Sequence, residues 1–226
     1  LIFVETSIQT QRILADASKQ GSLQQEFQRL APRLCTTNYV WMEFQRTVIA
    51  DIAHIRQLMS VHQGWSGLIR HLLTGQRTFR TRSAVRCTQL VSNLYEGSGG
   101  EWKYALMLCD ELLQEELAAQ FWFNVTPLPD LINCDLVVQG IVHHPNGNYV
   151  VANSCNKESA ACFLPNFLTH NIDKLRAVQA YLTAHPNAIK DQARVQRLLT
   201  TVIENPCQAL GQNSCWPLGD IIIALQ

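Results

Sequence analysis

The chain has 226 residues, 47% of them hydrophobic, and its 18 basic residues balance 18 acidic ones. This apolar content can bury a large core, which excludes a disordered chain, while the charge balance excludes an overall cationic field, so that a nucleic-acid surface would be a local patch. No apolar stretch reaches the roughly 20 residues that a bilayer requires and no signal-peptide pattern is visible, so we expect a cytoplasmic protein with no membrane partner.

The first predicted elements are a strand and two helices. The apolar run of residues 1–4 predicts a buried strand that ends at Glu5, and in open α/β sheets this carboxyl end is where ligands bind. A helical pattern follows from Ser7 until Gly21 interrupts it. Ser22 is then predicted to cap a second helix, which ends near Pro32.

A second strand and a long helix come next. Residues 33–36 predict a short strand, after which Thr36 or Thr37 caps a helix with an apolar repeat of about 3.6 residues. Glu43 falls in the second turn of this helix, close to the inward stripe. Residues 64–123 predict only helices, at about 65–74, 78–95 and 101–121.

The last third of the chain mixes a hairpin with helices. Residues 135–142 and 149–152 predict two strands around an Asn-Gly turn. Helices are predicted at about 165–184 and 187–204. A final helix over 219–226 carries Asp220 in its first turn.

Three segments, taken together and in this order, resemble the PIN-domain family. They are Phe3-Val4-Glu5-Thr6-Ser7 at the first strand, Thr36-Thr37-Asn38-Tyr39-Val40-Trp41-Met42-Glu43-Phe44 at the long helix, and Leu218-Gly219-Asp220-Ile221-Ile222-Ile223-Ala224-Leu225 at the final helix. The resemblance implies an α/β fold with a PIN-like (flavodoxin-like) parallel sheet flanked by helices. It implies one enlarged domain over 1–226, with a core of 1–60 and 218–226 and a large, mostly helical insertion at about 61–217 that contains the hairpin.

The resemblance also implies a site and an activity. Glu5, Glu43 and Asp220 correspond to the family's acidic metal ligands and Ser7 to their polar neighbour, while the fourth acid would lie beyond Gln226. Such a site binds Mg²⁺ or Mn²⁺ through carboxylates and uses the cation to cleave a phosphodiester bond. The expected function is a metal-dependent endoribonuclease, a toxin or a defence effector.

Other functions stay open. The family has Asp where this chain has Glu5, so the second hypothesis is a weak or inactive PIN-like module that binds RNA or a protein. A DNA nuclease is the third, because no residue here is seen to recognise a 2′-hydroxyl. RNA is the expected partner, with an antitoxin or other protein and a homodimer as further candidates. Asp135 is the alternative third acid.

Cysteines suggest a second metal. Without a secretory signal the eight cysteines favour reduced thiols or a metal site over disulfides. Cys155, Cys162, Cys207 and Cys215 form two pairs around a helical segment, which predicts either a structural zinc site or small buried thiols.

The charged clusters are ambiguous. Arg77, Arg80, Arg82 and Arg86 form the most basic stretch, which is either a phosphate-binding patch or an ordinary solvated face. The acidic group between Asp110 and Glu116 is expected to be a solvated helix face, and His143 and His144 are expected at the surface of a turn.

Overall fold

The computed structural model describes residues 1–14, 17–74, 81–134, 141–143, 149–151 and 162–226. Helices dominate, and the parallel sheet has three short strands, so the fold is broadly α/β as expected. The chain divides into two compact units, residues 1–128 with 140–152 and residues 129–139 with 153–226. The single-domain prediction stays a prediction.

The sheet of the first unit consists of β1 (Ile2–Phe3), β2 (Leu34–Thr36) and β3 (Thr126–Pro127). β2 lies between β1 and β3 and is parallel to both. This order differs from the expected flavodoxin-like order, which would place β1 in the centre. Val4, Phe27, Leu34 and Val125 form a buried cluster beside the sheet.

Helices α1 (Thr6–Leu14) and α2 (Ala17–Leu30) connect β1 to β2. The predicted break at Gly21 and the predicted cap at Ser22 are wrong, because α2 begins before both residues and runs through them. A single glycine costs a helix only about 1 kcal/mol, which the other residues of a 14-residue helix offset.

The long helix predicted after β2 is present, and it contains one irregular turn. It comprises α3 (Asn38–Phe44), a wider π-type turn (Gln45–Ile49) and α4 (Ala50–Val61). Thr37 is its N-cap, since its hydroxyl accepts a hydrogen bond of 3.3 Å from the amide of Val40.

The remaining elements of the first unit agree with the helical prediction. They are α5 (Trp65–Thr74), α6 (Thr81–Gly97), α7 (Trp102–Glu111), a second π-type turn (Leu112–Glu116) and α8 (Leu117–Trp122). The predicted hairpin is present as β4 (Ile141–His143) paired antiparallel with β5 (Tyr149–Val151). Its Asn-Gly turn lies outside the described residues.

The second unit contains only helices in its described part. They are α9 (Leu164–His170), α10 (Ile172–Ala184), α11 (Gln192–Glu204), α12 (Gln212–Cys215) and α13 (Gly219–Leu225). The final helix was predicted at this place, with Asp220 in its first turn. None of the helices described in either unit combines the length and apolar character needed to cross a bilayer.

Candidate functional site

The candidate site lies at the carboxyl edge of β1 and β2. Since the two strands are parallel, their carboxyl ends meet at one edge of the sheet. Val4 extends this pairing beyond β1, because its amide donates to the carbonyl of Cys35 at 2.8 Å and its carbonyl accepts from the Thr36 hydroxyl at 2.6 Å. The residue that follows, Glu5, is therefore held beside the end of β2.

Glu43 reaches the same edge from the second turn of α3. Its side chain is partly buried, and its Oε2 atom accepts a 2.7 Å hydrogen bond from the hydroxyl of Thr6. Thr6 is the neighbour of Glu5 and the first residue of α1. Glu43 thus contacts the residue next to Glu5, although the two acids are 38 positions apart in the sequence.

Glu5 is exposed and lies at the start of α1. Its carbonyl accepts from the amide of Gln9 at 3.2 Å, and its Oε1 atom accepts from the hydroxyl of Ser7 at 2.5 Å. An acid at this position also interacts favourably with the positive end of the helix dipole. The edge therefore presents two carboxylates and two hydroxyls, and these oxygen donors suit a hard cation such as Mg²⁺.

The other end of α1 is anchored by two buried polar side chains. The Gln9 amide donates to the Phe121 carbonyl at 3.0 Å, and Arg12 donates to the carbonyls of Gln120, Phe121 and Phe123, where α8 ends. Arg12 is only 2% exposed, and burial lowers the pKa of its guanidinium to about 10. A cation at a helix C-terminus is stabilising, so this contact fixes α1 and with it the Glu5-Thr6-Ser7 segment.

The predicted third acid lies in the other unit. Asp220 is exposed in the first turn of α13. Among the residues that the structure describes, no three His, Cys, Asp or Glu side chains form a group suited to a metal ion. The role of Asp220 stays a sequence prediction, and the alternative third acid Asp135 lies outside the described residues.

The zinc prediction gains no support from the described cysteines. Cys162 and Cys215 are partly buried and Cys207 is exposed, and these three do not form a metal-binding group; Cys155 lies outside the described residues. Three further thiols are small core residues: Cys35, Cys87 and Cys109. Burial raises the pKa of Cys109 to about 12, which makes this thiol a poor ligand and nucleophile.

The predicted basic patch is described only in part. Arg77 and Arg80 lie outside the described residues, and Arg82 is described only as part of the backbone of α6. The Nε atom of Arg86 is 2.7 Å from Asp51, so this guanidinium is engaged in an ion pair within the protein. Phosphate binding by these arginines stays a prediction.

The other charged and histidine clusters differ in part from expectation. Asp110 is not simply solvated, because it accepts two hydrogen bonds from Arg56, at 2.7 and 3.0 Å. His143 belongs to β4, rather than to the turn where it was expected, and His144 lies outside the described residues.

Sequence reasoning missed three residues that contribute to the site: Thr6, Gln9 and Arg12. Thr6 was quoted within the motif, and its hydroxyl beside an acid was a signal, but its partner Glu43 could be identified only from the fold. Gln9 and Arg12 are three positions apart and so share one face of α1, yet polar residues on a helix usually face water.

Comparison of the chain with protein-family models, with curated proteins and with solved structures finds no match.

Proposed function

We propose that the chain is a Mg²⁺- or Mn²⁺-dependent ribonuclease whose metal ligands include Glu5 and Glu43. The observation that carries this proposal is the hydrogen bond between Thr6 and Glu43, because it brings the Glu43 carboxylate to the residue next to Glu5, at the ligand-binding edge of a parallel sheet. The three motifs that resemble PIN-domain ribonucleases supply the choice of reaction and of RNA.

The chemistry of the cluster suits phosphodiester hydrolysis. Mg²⁺ keeps several of its waters and commonly takes only one or two carboxylates together with substrate phosphates. When bound, the cation would supply a Lewis acid and an activated water. Glu5 and Glu43 would hold it at the sheet edge, and the hydroxyl of Thr6 would fix the orientation of the Glu43 carboxylate.

A cleavage assay with a labelled single-stranded RNA tests the proposal. We expect cleavage with Mg²⁺ or Mn²⁺ and none after addition of EDTA, because the two carboxylates act only through the cation. A DNA strand of the same sequence should be cleaved more slowly, and equal rates would favour the DNA nuclease instead. Cleavage that continues unchanged in EDTA would refute the metal-dependent mechanism.

A PIN-like module that binds RNA or a protein is the second candidate function. The observation that favours it is that the described residues contain no group of three metal-binding side chains. Substitution of Glu5→Asp, followed by the same RNA assay, separates the two candidates. If the longer Glu5 side chain limits the nuclease, its cleavage rate should rise roughly tenfold, because a shift of about 1 Å in the position of a carboxylate can change the rate of such a site by that much. No cleavage in either form would favour the binding module.

The hydroxyl of Thr6 should matter for metal affinity. Substitution of Thr6→Val removes the hydrogen bond to Glu43 but keeps the shape of the side chain. We expect the Mg²⁺ concentration for half-maximal cleavage to rise by about tenfold. Removal of a hydrogen bond that orients a metal ligand typically weakens metal binding by about 10- to 100-fold, and an increase of tenfold is the lower limit of that range. Thr10→Val is the matched control, because the Thr10 hydroxyl bonds to the carbonyl of Thr6 within α1. Equal shifts in both variants would show that Thr6 has no special role.

A further inference from the structure

A pocket of about 510 Å³ lies in the first unit between the end of α1, α2 and the end of α8. Its volume falls within the range of about 300–1,000 Å³ that is typical of small-molecule sites. Its polar lining residues are Arg12 and three glutamines, Gln20, Gln24 and Gln120, while Ile13 and Phe123 are apolar lining residues. The lining thus combines hydrogen-bonding groups, one cation and apolar walls.

Arg12 gives this pocket its charge. No residue in the described part of the chain forms an ion pair with it, and the side chain is 2% exposed. A guanidinium has five N–H donors, of which three are bonded to carbonyls at the end of α8. One of its faces is covered by the ring of Phe27 at 4.3 Å. The carbonyls at the end of α8 stabilise the guanidinium, and its two remaining N–H donors can bind an anion.

Gly21 lines the pocket on the side of α2. It lies inside a 14-residue helix, where glycine costs about 1 kcal/mol relative to alanine. A Cβ atom at this position would meet no other heavy atom within 4 Å, so close packing within the protein does not explain the glycine. Gly21 is exposed and is one of the residues that line the pocket, so a larger side chain at this position can extend toward it.

We propose that this pocket binds a small organic acid, with the acidic group beside the Arg12 guanidinium and a flat apolar body against Ile13 and Phe123. The glutamine amides would hydrogen-bond to polar substituents of the ligand. A charged hydrogen bond to a desolvated guanidinium is stronger than one between neutral groups, so the acid is preferred to its amide. The site is independent of the nuclease proposal, because it requires neither Glu5 nor Glu43.

Titration of the full chain with 2-naphthoate and with 2-naphthamide, followed by NMR or calorimetry, tests this proposal. The two probes share shape and apolar area but differ in charge. We expect 2-naphthoate to bind at least tenfold more tightly. Equal affinities would overturn the role of Arg12, and no binding of 2-naphthoate at millimolar concentration would overturn the site.

Substitutions at Gly21 establish where the probe binds. Gly21→Leu should fill part of the pocket and weaken 2-naphthoate binding at least tenfold, while the chain stays folded because leucine is a better helix former than glycine. Gly21→Ala is the matched control: its small side chain should change the affinity less than twofold. Unchanged binding in Gly21→Leu would place the probe elsewhere and refute the proposal.

Discussion

Substitution of Glu43→Gln is expected to lower the rate of metal-dependent RNA cleavage by about a thousandfold. Glutamine removes the negative charge that would hold the cation, and loss of several kcal/mol of transition-state stabilisation corresponds to about 10²–10³ in rate. The amide oxygen of glutamine can still accept the hydrogen bond from Thr6, so the fold should be retained. The measurement is the initial cleavage rate at saturating Mg²⁺, together with the circular dichroism spectrum of the variant.

Glu26→Gln is the matched control for this experiment. Glu26 is exposed on α2 and pairs with Arg29 on the same helix. Its substitution should leave the cleavage rate within twofold of the wild type. A Glu43→Gln variant that cleaves RNA at the wild-type rate would contradict the assignment of Glu43 as a metal ligand, and the nuclease proposal would then lose its main support.

Substitution of Arg12→Met is expected to lower the free energy of unfolding by about 3 kcal/mol. Methionine keeps much of the apolar volume of the arginine side chain. It leaves three carbonyls at the end of α8 without their charged donor. Each carbonyl that stays buried without a hydrogen bond lowers the stability by about 1–3 kcal/mol. Water that enters the adjacent pocket should satisfy some of them, which keeps the loss near the lower end of the range. Urea denaturation followed by circular dichroism measures this change.

Arg29→Met controls for the general effect of removing an arginine. Arg29 is exposed and forms a salt bridge with Glu26 on the same helix, a kind of pair that contributes little to stability. Its unfolding curve should coincide with that of the wild type. Similar curves for Arg12→Met and the wild type would show that the contact between α1 and α8 does not stabilise the fold.

The positions of most helices and of four of the five described strands could be predicted from the sequence. The apolar repeat that begins after Thr37, the Asn-Gly hairpin and the final helix around Asp220 all depend on local periodicity and turn chemistry, which act within a few residues. The break at Gly21 failed for the opposite reason, because the packing of α2 outweighs the local preference of one glycine.

The third strand could not be predicted. β3 consists of Thr126 and Pro127, and proline is rare in strands because it lacks an amide donor. It pairs with β2 nonetheless, where the carbonyl of Thr36 accepts from the amide of Leu128 at 2.8 Å. The central position of β2 follows from this pairing, which joins segments about 90 residues apart and has no local signal.

By itself, the sequence determined the acid at the end of the first strand, the acid in the second turn of the long helix and the helical character of the chain. Only the tertiary structure decided that Thr6 bonds to Glu43 and that Arg12 is buried against α8. The physical reason is the range of the interactions. Periodicity and capping are read from neighbouring residues, whereas the partner of a buried polar side chain depends on which distant elements the sheet and the core bring together.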